Sequence, residues 1–405
     1  MKKAFLVILL ILSADVSIFA QARHKYFSSR EAQEMLDFAA VQYMKMMEAL
    51  PDSVFPRSFD STSNKLVTSD YEWWCSGFFP GSLWYLYEYT GDNKIREAAE
   101  RKTAAVERAK FITSHHDLGF MLYCSFGNGL RLTKNEKYKE ILLTGAKSLA
   151  TRFNSRVGCI KSWDWTKWEY PVIIDNMMNL EFLFWASRAS GDPTYRRIAV
   201  SHANTTLKNH FRKDWSSYHV VTYDTLSGKK ISGETAQGYS AESAWARGQS
   251  WGLYGYVMCY RETRDRKYLD AANKIAAFIL NHPNLPKDKI AYWDYNAPGI
   301  PNEKRDASAA AIMCSALLEL SQYVKKDLSV KYFRTAEIIL SNLSKPLYCA
   351  GTGENGNFIL KHSVGSIPHH SEIDVAMTYP DYYYIESLIR YLEMSKDRYT
   401  FRFIK

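Results

Sequence analysis

An aspartate stands inside one of the most apolar segments of the chain, PVIIDNMMNLEFLFW at residues 171–185. A buried carboxylate without a partner is costly or takes up a proton, so Asp175 needs a reason to be there. One interpretation is structural, because an aspartate here can cap the helix that follows. The other is chemical, because apolar surroundings raise the pKa of a carboxyl and suit it to act as a general acid near neutral pH.

A second aspartate has a similar placement. In SHHDLGFMLYCSFG, Asp117 directly precedes another apolar segment that reads as a helix. If both helices belong to one inner layer, the two carboxyls face one basin, where they titrate together and one keeps its proton. Asp294 and Asp306 also fit cap positions, so two aspartates alone do not separate a catalytic pair from a pair of caps.

Arginine and tryptophan cluster in a third segment, GETAQGYSAESAWARGQSWGLYGY. Arg247 and Trp251 are four residues apart and therefore share a helix face. A guanidinium beside an indole suits a ring that bears a carboxylate, because the guanidinium binds the oxygens and the indole packs against the ring. Trp74, in DYEWWCSGFFPGSLWY, precedes another apolar helix. The structural alternative is that these aromatic side chains fill the core.

A repeated hairpin indicates which elements position these residues. Five times, an apolar, aromatic-rich segment ends in a short turn and an amphipathic, charged segment follows. Each turn carries a capping residue with an apolar residue three positions later; the capping residues are Asp92, Asn135, Asp192, Asp265 and Asp327. Buried inner helices that alternate with half-exposed outer helices form a closed ring. With helices at 29–48 and 379–396, the pattern predicts an all-α (α/α)6 barrel.

The 405-residue chain is predicted to have one barrel domain over residues 21–405 after a signal peptide over residues 1–20. The leader MKKAFLVILLILSADVSIFA has two lysines, an apolar core and small residues near its end, which is typical of secretory signals. Its apolar core is too short to span a membrane readily. We therefore expect an exported, periplasmic protein without membrane association. Residues 216–236 read as a short strand pair within a loop.

The formal net charge of +9 favours anionic partners. Nucleic acid is disfavoured, because the basic residues are scattered and no aromatic-basic recognition motif is present. Six cysteines lack CxxC or metal-ligand spacing, and buried free thiols are favoured over disulfides. The sequence carries no signal for the oligomeric state.

Six motifs, in this order, resemble the unsaturated glucuronyl hydrolases of glycoside hydrolase family 88. They are WWCSGFFPGSLWYLYEYTGD, HHDLGFMLYCSFGNG, IIDNMMNLEFLFWAS, QGYSAESAWARGQSWGLYGY, WDYNAPGIPNEKRDASAAAI and SEIDVAMTYPDYYYIESLIRY. The resemblance covers most of residues 70–400. It implies the (α/α)6 barrel, no metal or cofactor, and an anionic unsaturated di- or oligosaccharide as the substrate.

The resemblance also implies hydration of a C4=C5 enol ether, without attack on the anomeric carbon. An acid protonates C4, water adds at C5, and the hemiketal opens with loss of the glycosidic bond. By the matched motifs, Asp175 is the acid/base and Asp117 is its partner. The loop around Lys361 and His362 is expected to border the second sugar and to meet a sulfate there. The substrate-binding positions implied by the resemblance are Trp74, His219, Thr235, Gln237, Arg247, Trp251 and Ser363.

Alternative functions remain open at the level of sequence. The expected activity is release of the 4,5-unsaturated uronate from oligosaccharides made by glycosaminoglycan lyases. An unsaturated rhamnogalacturonyl hydrolase would share the fold and the chemistry but would act on pectin fragments. A non-catalytic exported sugar-binding protein is the alternative from another class. An N-acylglucosamine epimerase is disfavoured, because it needs a catalytic histidine pair and the adjacent His115 and His116 would diverge on a helix.

Overall fold

The computed structural model describes residues 26–395, so the predicted signal peptide over 1–20 lies outside the described residues. Twelve helical segments follow one another along this range. In chain order they are α1 (Ser29–Ala49), α2 (Phe78–Thr90), α3 (Asn93–Ala105), α4 (a π-helix, Gly119–Gly127, that continues as Asn128–Thr133), α5 (Glu136–Ala150), α6 (a 3-10 turn, Ile174–Asn179, that continues as Leu180–Ser190), α7 (Pro193–Asn209), α8 (Ala246–Thr263), α9 (Arg266–Asn281), α10 (Ala307–Leu320), α11 (Lys326–Leu343) and α12 (Thr378–Ser395). Two short 3-10 helices, Glu107–Phe111 and Asn355–Asn357, lie in the connections.

The even-numbered helices form an inner ring and the odd-numbered helices surround it. Every residue of α10 is buried, as an inner helix requires. Helix α9 buries only one face, through residues such as Tyr268, Ala272, Ile275 and Ile279 at helical spacing. The ring closes because α12 packs against both α2 and α10. This is the predicted (α/α)6 barrel.

Four of the five predicted caps are confirmed. Asp92, Asn135, Asp192 and Asp265 each accept the backbone N–H two residues later, at 2.8 to 3.1 Å. The fifth prediction is wrong. Helix α11 begins two residues earlier than predicted, so Asp327 lies in its first turn, where an acidic side chain interacts favourably with the helix dipole.

Nine short strands lie in connections that lead into inner helices. They are β1 (Phe55–Asp60), β2 (Lys65–Ser69), β3 (Phe153–Asn154), β4 (Cys159–Ile160), β5 (Pro171–Ile173), β6 (Val220–Tyr223), β7 (Lys230–Glu234), β8 (Ser363–Ser366) and β9 (Ser371–Met377). They form three antiparallel sheets, ordered β2-β1-β9-β8, β3-β4 and β5-β6-β7. The strand pair predicted at 216–236 is confirmed as β6 and β7. The strands therefore gather at the end of the barrel where the inner helices begin.

The cysteines and the hydropathy of the helices were also predicted from the sequence. All six cysteines are unpaired, and five of them are buried. Within residues 26–395, no helix combines the length and apolar character that a membrane span needs.

Candidate active site

An open cavity lies at the end of the barrel where the inner helices begin. Its empty volume, open mouth included, is about 1190 Å³. Four residues predicted for the site line it: Trp74, Asp117, Gln237 and Arg247. Because these come from the starts of three inner helices and one loop, the barrel gathers residues that are far apart in sequence.

Aromatic rings from the inner helices meet beneath this cavity. The ring of Phe120 lies 5.5 Å from that of Trp74 and 5.3 Å from that of Trp251, measured between centroids. Trp251 in turn lies 5.3 Å from Tyr383 of α12. These contacts close the centre of the barrel under the cavity, which leaves one apolar boundary next to the acidic groups.

Asp175 does not cap its helix. The N-cap position belongs to Ile173, and Oδ2 of Asp175 has no hydrogen-bond partner among the described residues. Its side chain is 13% exposed. Burial raises the pKa of Asp175 to about 7, against the opposing charge of Arg247, and the nearby Asp117 adds to the rise. The carboxyl is therefore held partly protonated at neutral pH.

Asp117 has the opposite electrostatic environment. Burial alone would raise its pKa, but His116 and His115 beside it bring the pKa below its usual value. Nδ1 of His115 lies 3.0 Å from Oδ2, and Nε2 of His116 lies 3.4 Å from Oδ1. Two carboxyls thus share one region with different protonation states, which is the arrangement an acid and its anionic partner need.

His219 faces Asp175 with a defined tautomer. Its Nδ1 accepts the backbone N–H groups of Ala236 at 3.0 Å and Gln237 at 3.1 Å. A ring nitrogen that accepts cannot carry the proton, so the neutral ring is protonated at Nε2. Nε2 lies 3.7 Å from Oδ2 of Asp175. Burial lowers the pKa of His219, so this N–H belongs to a neutral imidazole.

Arg247 links the site to the strands that cover it. Its guanidinium donates to the carbonyl oxygens of Val364 and, at 2.7 Å, Gly365, and to Oε1 of Gln237 at 3.2 Å. The guanidinium lies 4.5 Å from the ring centroid of Trp245. The predicted pairing of Arg247 with Trp251 is therefore replaced by stacking on the N-cap residue of the same helix.

Four predicted binding residues do not line the cavity, and neither does the predicted catalytic Asp175. His219 is buried beside Asp175. Trp251 is fully buried in the aromatic layer, and its indole N–H has no hydrogen-bond partner among the described residues. Oγ1 of Thr235 accepts the N–H of Gly238 at 2.8 Å and shapes the turn that holds Gln237. Ser363 is fully buried in β8.

The loop expected to meet a sulfate uses other residues. Nδ1 of His362 is bonded to Asp374 at 2.7 Å, and Lys361 donates to a backbone carbonyl, so neither lines the cavity. Ser363 and Val364 at the start of β8 are buried away from the cavity, which, within this loop, only the residues from Gly365 onward reach. The residues of this region that do line the cavity are Gly365, Ser366, His369, Ser371 and Glu372.

Sequence reasoning also missed the rim of the cavity, which includes Arg57, Trp73, Trp163 and Trp165. The tryptophans did give a signal, since EWW and SWDWTKW place large aromatic side chains in loops. Arg57 gave no such signal, because it is one basic residue on β1, and the strand that brings it to the cavity, β9, is distant in sequence.

Comparisons with known proteins agree with this geometry. The sequence model of Glycosyl Hydrolase Family 88 matches residues 45–384. The unsaturated glucuronyl hydrolase of Formosa agariphila is 47% identical over 342 residues, which cover 83% of this chain and 84% of that relative.

The chain belongs to glycoside hydrolase family 88.

Solved structures of this family show the same fold. An unsaturated glucuronyl hydrolase specific for heparin is 48% identical with a TM-score of 0.89, over 91% of this chain and 99% of the neighbour. A mutant of the Streptococcus agalactiae unsaturated glucuronyl hydrolase, complexed with dGlcA-GalNAc6S, is 28% identical with a TM-score of 0.79. The match covers 91% of this chain and 94% of that chain. This family 88 chain is thus a glycoside hydrolase of unsaturated uronyl saccharides, and an anionic unsaturated oligosaccharide is its substrate.

Proposed function

We propose that this enzyme releases the 4,5-unsaturated uronic acid from the non-reducing end of glycosaminoglycan fragments made by lyases. The observation that carries the proposal is the interacting pair formed by Asp175, with a raised pKa, and Asp117, with a lowered one. Asp117 lines the cavity, as does Arg247, whose charge acts on Asp175. Export to the periplasm, where such fragments would be met, remains part of the proposal.

In this mechanism Asp175 delivers its proton to C4 of the double bond. Positive charge then develops at C5 and on the ring oxygen, and the ionised Asp117 favours that charge. Water adds its oxygen at C5 and returns a proton to Asp175, so the enzyme is regenerated. The resulting hemiketal opens by breaking the bond between C5 and the ring oxygen. Collapse at C1 then releases the second sugar with its hydroxyl group.

The rim of the cavity supports an anionic second sugar. Nε of Arg57 donates to Oε1 of Glu372 at 2.7 Å, and its guanidinium lies 3.9 Å from the ring centroid of Trp73. Stacking and the ion pair hold the guanidinium in place, and its remaining N–H groups suit a sulfate or carboxylate. With the 48% identical heparin-specific neighbour, this favours sulfated heparin-type disaccharides.

A panel of unsaturated disaccharides tests the proposal by loss of the ultraviolet absorbance of the C4=C5 bond. The panel contains sulfated and unsulfated heparin, chondroitin and hyaluronan products and one pectin-derived product. We expect loss of absorbance, fastest with heparin-type substrates. Fastest turnover of the pectin product, or binding without loss of absorbance, would contradict the proposal. Asp192→Asn is a matched control variant, because asparagine caps a helix as well as aspartate.

A further inference from the structure

Asn179 connects the elements that carry the two aspartates. It is the last residue of the 3-10 turn that begins one residue before Asp175, and its side chain is fully buried. Its Oδ1 accepts the backbone N–H of Gly119, in α4, at 2.8 Å. Its Nδ2 lies 3.3 Å from Nδ1 of His116.

These contacts determine where the proton of His116 lies. Because a backbone N–H occupies Oδ1 of Asn179, the group that faces the imidazole is the amide NH₂. Nδ1 of His116 must then accept, so the ring proton is on Nε2. Nε2 lies 3.4 Å from Oδ1 of Asp117, and no described residue reaches it with hydrogen-bond geometry. The side chain of Asn176 also interacts with this ring and favours its protonated form. Burial lowers the pKa of His116 to about 4, so the donor is neutral.

We propose that Asn179 is a positioning residue that sets the tautomer of His116, so that an N–H and not a lone pair faces Asp117. The proposal rests on the proposed pairing of Asp117 with Asp175. A lone pair at Nε2 would repel the ionised carboxylate, whereas the N–H stabilises it. Other groups also act on Asp117: His115 and Arg152 favour its anion, and Asp175 is close enough to repel it when both are ionised.

Gly119 leaves the space that this contact needs. A Cβ added there would lie 2.5 Å from Oδ1 of Asn179 and 2.9 Å from its Cα. Gly119→Ala should therefore displace the same amide without changing its chemistry. It provides an independent way to break the contact.

Asn179→Asp tests the proposal most directly. A carboxylate in place of the NH₂ can only accept a hydrogen bond, so it favours the imidazole tautomer with the proton on Nδ1. We expect kcat to fall about 10- to 100-fold with little change in KM, as for lost outer hydrogen bonds. The pKa of Asp117 should rise, so the acidic limb of the pH profile moves to higher pH. Asn128→Asp, a buried inner-helix asparagine bonded to Cys124, should leave that limb in place.

The tautomer itself can be read by ¹⁵N NMR of labelled histidine without substrate, so this result does not depend on the proposed function. We expect His116 to be protonated at Nε2 in the wild type and at Nδ1 in Asn179→Asp. A cycle of Asn179→Ala with His116→Gln should be strongly non-additive, because glutamine has no tautomer to set. A wild-type His116 protonated at Nδ1, or an unshifted acidic limb in both Asn179→Asp and Gly119→Ala, would overturn the proposal.

Discussion

A raised pKa alone does not identify a catalytic carboxyl in this protein. Burial raises the pKa of Asp381 to about 7, as it does for Asp175. The oxygens of Asp381, however, accept the N–H groups of Ile359 and Leu360, both at 2.8 Å, and so hold a loop. Oδ2 of Asp175 has no such donor among the described residues. At the scale of single residues, the difference is that Asp175 keeps an oxygen without a hydrogen-bond donor, close to Asp117 and Arg247 of the cavity wall.

The buried carboxyl of Asp175 should cost the protein stability at high pH. The folded protein keeps this proton up to about pH 7, whereas the unfolded chain loses it at about pH 4. Wild-type stability therefore falls as the pH rises through this window. Asp175→Asn avoids the cost and should be more stable at pH 8 by on the order of 1–3 kcal/mol, with little difference near pH 4. Thermal unfolding at both pH values checks this, and an equal difference at both would contradict it.

Arg57 should select for charge on the second sugar. Arg57→Ala should lower kcat/KM about 10- to 100-fold for sulfated disaccharides, because a charged hydrogen bond is lost, and should change unsulfated ones little. Arg57→Lys should restore only part of the lost kcat/KM, since lysine cannot stack on Trp73 and bind a sulfate in the same geometry. Arg30→Ala, at an exposed pair on α1, is the control. Equal losses of kcat/KM for sulfated and unsulfated disaccharides would show that Arg57 does not select for charge.

At the scale of elements, local pattern predicted most of the barrel. Alternating buried and amphipathic helices and their polar caps are encoded within about one hairpin of sequence, so the ring could be predicted. Pairing of β1 with β9 joins residues such as Phe59 and Ala376, which no local pattern reveals. Positive φ angles at Glu372 and Asp374 also break the alternation of β9. The missed site residues, Arg57 and Glu372, lie on these strands.

Close contact between α2 and α4 should make Gly77 intolerant of a side chain. A Cβ there would lie 2.1 Å from the carbonyl oxygen of Met121, in a rigid backbone. Gly77→Ala should destabilise the protein by about 3 kcal/mol or more, or prevent soluble expression. In the matched variant Gly299→Ala, the new Cβ meets only the flexible end of Glu303 at 2.7 Å. Thermal unfolding measures the stability of both variants. Equal stability of the two would contradict the close contact between α2 and α4.

For the whole molecule, the formal net charge of +9 should assist capture of anionic substrates. Salt screens this attraction over about 8 Å at physiological ionic strength. kcat/KM should therefore fall more steeply with added salt for a multiply sulfated disaccharide than for an unsulfated one. Identical salt dependence of the two substrates would show that charge plays no part in capture.

The central claim is that Asp175 holds the proton that is delivered to the double bond. A ¹³C NMR titration of its carboxyl, assigned with Asp175→Asn, measures this directly and can be compared with kcat/KM over the same pH range. We predict a carboxyl pKa of about 7, with activity falling as the pH rises through that value. A carboxyl that titrates near pH 4, as an ordinary aspartate does, or activity that persists undiminished at alkaline pH, would contradict it.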